Sequence, residues 1–292
     1  FFKQKTAYEI GVRLVGSEMC IRDRVPTIWL MLFDYLEKTK KSLAPLQRCM
    51  IGGSACPRSM MEIFKKKYGV TVIHGWGMTE TSPLGSINTP LAKHSDLNDE
   101  KLLDLSEKQG RPMFGVELKI TDDEGEILPN DGNAFGDLWI KGPWICSGYI
   151  NIERSDVHSK DGWFMTGDVA TIDSDGYMQI TDRTKDVIKS GGEWISSIEI
   201  ENIAVGHEKV SEAAVIGVPH PKWDERPLLI IVPIEKNIIS KDEILLYLKD
   251  KIASWWMPDD VVFVEEIPHT ATGKIQKLSL REKFKGYKLE SK

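Results

Sequence analysis

Residues 28–38 (IWLMLFDYLEK) carry apolar side chains at three- and four-residue spacing, the period of an amphipathic helix. Leu46 to Ile51 then reads as a short strand, broken by Gly52-Gly53. Pro57 stands where a helix can open, and helix formers continue from Arg58 to Tyr68 until Gly69 stops them. Val70 to Ile73 is a second β-rich run that ends in the glycine-rich string HGWGMTE. Strand, helix and strand with short connections predict a βαβ unit in a parallel sheet. From Val116 the pattern changes to short strands between turns: VELKIT, GDLWIKG, and ATIDSDGYMQITD folded about Ser174-Asp175-Gly176. After Asp182-Arg183 it alternates again, with a helix from Ile195 to Val205, strands at 213–218 and 228–234, a helix from Lys241 to Ile252 and a strand from Val261 to Val264. This last stretch predicts a compact α+β domain, with the boundary in Asp182–Asp186.

Composition narrows the class. A chain of 292 residues, 41% hydrophobic, has the material for two cored domains, and a 28% charged fraction is that of a globular protein. No apolar run approaches the roughly 20 residues of a membrane span. The net charge of −6 argues against a general nucleic-acid binder. Cys20, Cys49, Cys56 and Cys146 include no pair at metal-ligand spacing, so the expectation is neither a zinc site nor a disulfide framework, and a reducing, cytoplasmic setting. His207, His220 and His269 are too irregularly spaced for a metal site, and Trp223, Trp255 and Trp256 are expected to serve packing.

The first 24 residues stand apart. Val15 to Asp23 (VGSEMCIRD) resembles the translation of a transposon-based sequencing-library adapter, and Lys3 to Ile10 (KQKTAYEI) the translated flow-cell end of such a library. Acidic Glu9, Glu18 and Asp23 and the lack of an apolar core fit a targeting peptide poorly. The expectation is that residues 1–24 are an artefact that packs against nothing, and that the natural N-terminus lies upstream.

Four strings occur in order: HGWGMTE at 74–80, GWFMTGD at 162–168, DRTKDVIKSGGEWIS at 182–196 and ATGKI at 271–275. Together they resemble the adenylate-forming family of acyl-CoA synthetases, luciferases and peptide-synthetase adenylation domains, over nearly everything from Val25 onward. The resemblance implies an α/β fold: residues 25–182 as the C-terminal part of a large α/β AMP-binding domain, and 183–292 as a small α+β C-terminal lid domain. It implies ATP, Mg²⁺ and CoA as partners of a small carboxylic acid, with a homodimer left open.

The chemistry of each string supports the carry-over. HGWGMTE lies at the carboxyl edge of a parallel sheet, where open α/β sheets bind ligands. Gly75 and Gly77 admit close backbone approach; Thr79 offers a hydroxyl to a phosphate and Glu80 a hard oxygen to Mg²⁺. Trp76 could lie against an adenine, and the resemblance gives His74 to the acyl group. The resemblance implies that Gly53, Ser54 and Ala55, in a turn before a helix, border the adenine and the acyl pocket; a plain strand-to-helix turn is the other reading. Asp168 can accept from both ribose hydroxyls, and Arg183 can bind the same ribose or the phosphate. Lys185 falls where the family has the hinge about which its small domain turns between two poses. Lys189, Gly191, Gly192, Glu193 and Trp194 present a glycine pair that a pantetheine arm could pass, with Trp194 as a wall; a plain hairpin loop is the other reading. Lys274 can bridge carboxylate and α-phosphate while pyrophosphate leaves, as a point cation does.

The expected reaction is ATP-dependent acyl-CoA ligation through an acyl-adenylate, with Lys274, Thr79 and Glu80 catalytic. KSGGEWISS, HPKWDERPL and WWMPDDVVFVEEIPHTATGKI resemble the bacterial medium- and long-chain fatty-acid–CoA ligases, a group that includes methylmercaptopropionate–CoA ligases. The family's own phosphate loop would lie upstream of Val25, so the chain alone is expected to be inactive. A peptide-synthetase adenylation domain and a non-catalytic nucleotide-binding relative remain as alternatives; the first lacks room for a carrier domain after Lys274, and the second would be expected to have lost some of the five key side chains.

Overall fold

The structure, a computed structural model, describes residues 21–24, 26–53, 55–151, 156–235, 238–270 and 274–289. They gather into two compact units. One takes the chain up to Leu118 with Ile140–Phe164 and Asp173–Gln179; the other takes Lys119–Trp139, Met165–Ile172 and everything from Ile180.

The first unit is organised by the predicted βαβ motif. Strands Arg48–Ile51 and Thr71–Trp76 pair in parallel, Arg48 opposite Thr71 and Ile51 opposite His74. The intervening helix Arg58–Glu62 runs into a wider turn at Ile63–Lys67. Ahead of them helix Pro26–Thr39 aligns Trp29, Leu32, Phe33 and Leu36 on one face, all buried. Phe64 receives Trp29 and Phe33 edge-on, at centroid distances of 5.0 and 4.7 Å. Ser86–Ile87 and Arg111–Pro112 extend the sheet antiparallel.

The expectation that the leading segment packs against nothing fails for its last four residues. Ile21–Arg24 forms a strand parallel to Arg48–Ile51; residues 1–20 lie outside the described residues. An uncovered strand edge offers a row of unpaired N–H and C=O groups, and any extended backbone laid along it satisfies them. These strands, in chain order, are β1 to β5. Between β4 and β5 lies a helix that the sequence reading did not identify, Asp99–Glu107, whose N-cap Asn98 accepts from Lys101 N–H at 2.9 Å.

A second sheet of four strands, Glu117–Thr121, Phe135–Lys141, Phe164–Ile172 and Met178–Arg183 (β6 to β9), runs in sequence order and contributes residues to both units.

The third sheet lies within the second unit. Its strands are Ile188–Ser190 (β10), Glu193–Ile195 (β11), Val210–His220 (β12), Asp224–Pro233 (β13) and Asp260–Phe263 (β14). The order is β11-β10-β13-β12, with β14 parallel to β13. The unbroken apolar runs at 213–218 and 228–231 follow from burial on both faces. Ala213, Val215, Leu229 and Ile231 meet helices Ser197–Val205 and Lys241–Leu248 through Ile200, Ala204, Ile244 and Leu248. Ala214, Ile216, Leu228 and Ile230 face Ile267 and Leu280, the latter on helix Lys277–Lys283. In chain order the helices are α1 (Pro26–Thr39), α2 (Arg58–Glu62), α3 (Asp99–Glu107), α4 (Ser197–Val205), α5 (Lys241–Leu248) and α6 (Lys277–Lys283). Ser196 and Ser240 cap α4 and α5 by accepting from Glu199 and Glu243 N–H.

Candidate active site

In the first unit β3 carries the string His74–Glu80 out of the sheet. The strand continues through Trp76, three residues into the glycine-rich string that the sequence predicted to end it. His74 is buried, its Nδ1 3.0 Å from the Glu107 carbonyl oxygen. Trp76 is buried too, with its ring so close above Gly85 that a side chain there would overlap it. Gly77 has an intramolecular reason to be glycine: a Cβ would collide with the Pro83 carbonyl. Thr79 and Glu80 open a single 3₁₀ turn, Thr79–Thr81. The turn is pinned by Thr81 Oγ1, which accepts from Met78 N–H at 2.9 Å and lies 2.9–3.0 Å from the Met78 and Pro83 carbonyl oxygens. Thr79 is left exposed and Glu80 half-buried. Gly53, at φ +83°, is exposed and Ala55 half-buried in the turn after β2; Ser54 lies outside the described residues.

Sequence reasoning missed a partner of Glu80. Tyr149 Oη donates to Glu80 Oε1 at 3.0 Å, and Cys146 N–H donates to the Glu80 carbonyl at 2.8 Å. Burial, and then the Glu80 carboxylate, push the Tyr149 phenol up to about 12. Tyr149 is thus a donor at neutral pH. Nothing in the local string marked it, because it sits 69 positions from its partner. Among the described residues only one Glu80 oxygen is so engaged. A single hard carboxylate suits Mg²⁺, which takes one or two protein ligands and completes its shell with phosphates and water.

In the second unit the two residues assigned to the ribose meet. Asp168, buried on β8, pairs its Oδ1 with Arg183 Nε at 2.9 Å, while the Arg183 side chain stays half-exposed. The backbone holds them in register: Thr184 N–H donates to the Gly167 carbonyl at 3.0 Å, and Thr184 Oγ1 to Asp137 at 2.7 Å. Lys185 is exposed in the tight turn that follows, where Asp186 and Val187 N–H both donate to the Arg183 carbonyl at 2.8 Å.

Lys189–Trp194 is a β-hairpin, Lys189 opposite Trp194 and Ser190 opposite Glu193, turning through Gly191 (φ +61°) and Gly192 (φ +87°). The Lys189 ammonium lies 5.0 Å from the Trp194 ring centroid and 3.2 Å from Asp123, and Trp194 rests against Phe135. Glu193 is exposed. Lys274 is exposed, its N–H donating to Thr270 Oγ1 at 3.2 Å and its carbonyl accepting from Thr270 N–H at 2.8 Å. Residues 271–273, just before it, lie outside the described residues.

A buried ionic cluster also escaped sequence reading. Asp182 Oδ2 accepts from Ser197 N–H at 2.7 Å and from Ser197 Oγ at 2.5 Å. Lys277 Nζ donates to Ser197 Oγ and pairs with Glu201 at 2.8 Å. Burial works against the Lys277 charge, but the Glu201 and Asp182 carboxylates outweigh it and hold the ammonium above its ordinary pKa.

These sites belong to a recognisable whole. Residues 21–150 match the AMP-binding enzyme family, and residues 199–274 match the AMP-binding enzyme C-terminal domain. The chain belongs to the AMP-binding enzymes. Its relatives within that family include acyl-CoA ligases. It is 56% identical over 261 residues to the 3-methylmercaptopropionyl-CoA ligase of Ruegeria lacuscaerulensis, covering 89% of this chain and 48% of that protein. It is 50% identical over 273 residues to the medium-chain-fatty-acid–CoA ligase of Ectopseudomonas oleovorans, covering 93% and 50%. Among solved structures, ATP-bound MatB from Rhodopseudomonas palustris superposes with a TM-score of 0.81 at 28% identity, covering 99% of this chain and 55% of that one. The chain spans about half the length of the curated relatives it matches. No helix among the described residues is long and apolar enough to cross a membrane.

Proposed function

We propose that the enzyme carrying this chain is an AMP-forming acyl-CoA ligase acting on linear aliphatic acids of medium to long chain. One observation carries the reading: a chain 50–56% identical to CoA ligases carries Thr79, Glu80, Asp168, Arg183 and Lys274 together. In the first half-reaction the acid's carboxylate attacks the α-phosphate of ATP and pyrophosphate leaves. Lys274 offsets the repulsion between the two anions, and Thr79 donates to phosphate. Glu80 would hold Mg²⁺, which neutralises phosphate charge. The Asp168–Arg183 pair would hold the ribose. In the second, the CoA thiol adds to the acyl carbonyl and AMP leaves, with the arm passing Gly191 and Gly192 beside Trp194.

The residues from 183 onward would form the lid that supplies Lys274 to one step and the Lys189–Trp194 hairpin to the other, turning at Lys185. Gly53, Ser54, Ala55, Gly75, Trp76 and Gly77 would border the nucleotide, and His74 the acyl group. The reading places the enzyme in the cytoplasm, a reducing setting that suits cysteines with no pair at metal-ligand spacing.

The 56% relatives favour one second reading, a short thioether acid of the 3-methylmercaptopropionate type. Acid-dependent pyrophosphate exchange by the full-length enzyme, across a panel of aliphatic, thioether and amino acids, decides between them. Aliphatic acids should support exchange and amino acids should not. Preference for an amino acid would refute the assignment.

A further inference from the structure

The segment HPKWDERPL, on and before β13, has no role in the chemistry above, yet its arginine is deeply placed. Arg226 is 7% exposed. A guanidinium is tolerated there only if its donors are met, and they are. Nε and Nη2 donate to Asp259 Oδ1 at 3.0 and 2.9 Å, and Nη2 also to the Met257 carbonyl at 3.0 Å. Nη1 donates to the Trp255 carbonyl at 3.0 Å and to Ser190 Oγ at 3.3 Å. The cation also lies 4.8 Å from the Trp255 ring centroid.

These attachments converge on one turn. Ser190 is the residue before Gly191. Trp255 meets Trp223 edge-on at 5.1 Å, and the Trp223 carbonyl accepts from Gly191 N–H at 2.9 Å. A Cβ on Gly191 would lie 2.8 Å from the Trp223 ring, whereas one on Gly192 would meet nothing within 4 Å. Two successive glycines at positive φ make a turn with no side chains of its own to stiffen it. Its rigidity must come from beneath.

We propose that Arg226 is a positioning residue for the Gly191–Gly192 turn, fixing through Ser190 and the Trp255–Asp259 segment the path along which CoA reaches the acyl group. This rests on the reading that the hairpin accepts CoA. Lysine cannot replace it: one ammonium lacks the planar fork that reaches Asp259, two carbonyls and Ser190 at once.

The test separates the half-reactions in the full-length enzyme. With supplied acyl-adenylate, Arg226→Met should raise KM for CoA at least ~10-fold, while acid-dependent pyrophosphate exchange stays within about threefold of wild type. Arg226→Lys should not restore KM. Asp259→Asn keeps the shape and should move KM in the same direction by less; if Arg226→Met does not fold, it decides the matter alone. Equal losses in both half-reactions, or an unchanged KM for CoA, would overturn the proposal. A wild-type enzyme that exchanges pyrophosphate yet forms no thioester would instead sink the CoA reading.

Discussion

Lys274 follows three residues outside the described chain and, among the described residues, is tied through its backbone alone, to Thr270. An exposed lysine near a chain end is ordinarily a solubilising charge. What separates the catalytic assignment from that role is its effect on two chemical steps. Lys274→Ala in the full-length enzyme should slow adenylation by at least ~10²-fold, the usual cost of losing one preorganised charge donor. Thioester formation from supplied acyl-adenylate should survive, because there the carboxylate and the α-phosphate are already joined and pyrophosphate has already left. Equal loss in both steps, in a protein that still melts cooperatively, means the assignment is wrong. At this scale the sequence is legible where polar residues stand in the recognisable strings: Thr79 and Glu80 share a turn, and Asp168 and Arg183 come together from two of those strings. It is illegible where the partner is remote, as Tyr149 is from Glu80 and Arg226 from Ser190. It is also ambiguous where one glycine serves two masters. Gly77 was read as an opening for a nucleotide, and the structure gives it a sufficient reason in the Pro83 carbonyl.

Among the elements, the strands were foreseeable because burial on both faces of β12 and β13 leaves unbroken apolar runs. Helix α3 was not, since none of its residues is fully buried and only Leu102, Leu103 and Leu105 of its nine residues are apolar. Helix α6 was hidden for another reason: one of its two inward residues is a lysine. Lys277 joins α6 to Glu201 on α4 and, through Ser197, to Asp182 at the end of β9. Lys277→Met would leave the Glu201 and Asp182 carboxylates buried without their cation, a change that costs about 3–5 kcal/mol. The loss should depend on pH. Burial already pushes the Glu201 carboxyl up, and without Lys277 only the Val215 N–H is left to oppose it. A carboxyl whose folded pKa exceeds its unfolded one stabilises the fold when protonated and ceases to as pH rises through the folded value. The variant should therefore regain stability as pH falls from about 8 toward 5, relative to wild type. Urea titrations at several pH values measure this, and adding Glu201→Gln should recover part of the loss at pH 8. A pH-independent deficit would mean that lost packing, not unpaired charge, is the cause.

The two units differ in how much of their organisation is contiguous in sequence. The tail from Ile180 holds complete hydrophobic layers on both faces of β10–β14, one under α4 and α5 and the other under α6, with every buried member drawn from residues after 187. Apart from the pairing of β9 with β8, which holds only residues 180–184 at the head of the tail, what the rest of the unit adds to it is slight. Thr184 bonds Asp137, Arg183 pairs with Asp168, Lys189 pairs with Asp123 where both are more than half exposed, and Trp194 touches Phe135. An exposed ion pair contributes about 0–1 kcal/mol and a ring contact about 0.5–1.5. Burying one large aliphatic side chain contributes about 1.5–3, and the tail retains more than a dozen such residues. A fragment of residues 180–292 should accordingly fold alone and unfold in one cooperative urea transition, with a slope of about 1–3 kcal/mol per molar. Near-UV circular dichroism from Trp223, Trp255 and Trp256 should disappear in the same transition as the far-UV signal. Loss of the near-UV signal ahead of the far-UV signal, with dye binding in between, would mark a loosely packed state and show that β6–β9 is needed to fix the core. The fragment carries Lys274 and the Lys189–Trp194 hairpin but neither Thr79 nor Glu80. Cooperative folding would therefore establish that the groups assigned to the lid are presented by a scaffold independent of the residues that meet phosphate and Mg²⁺, as delivery of different lid residues to two half-reactions requires.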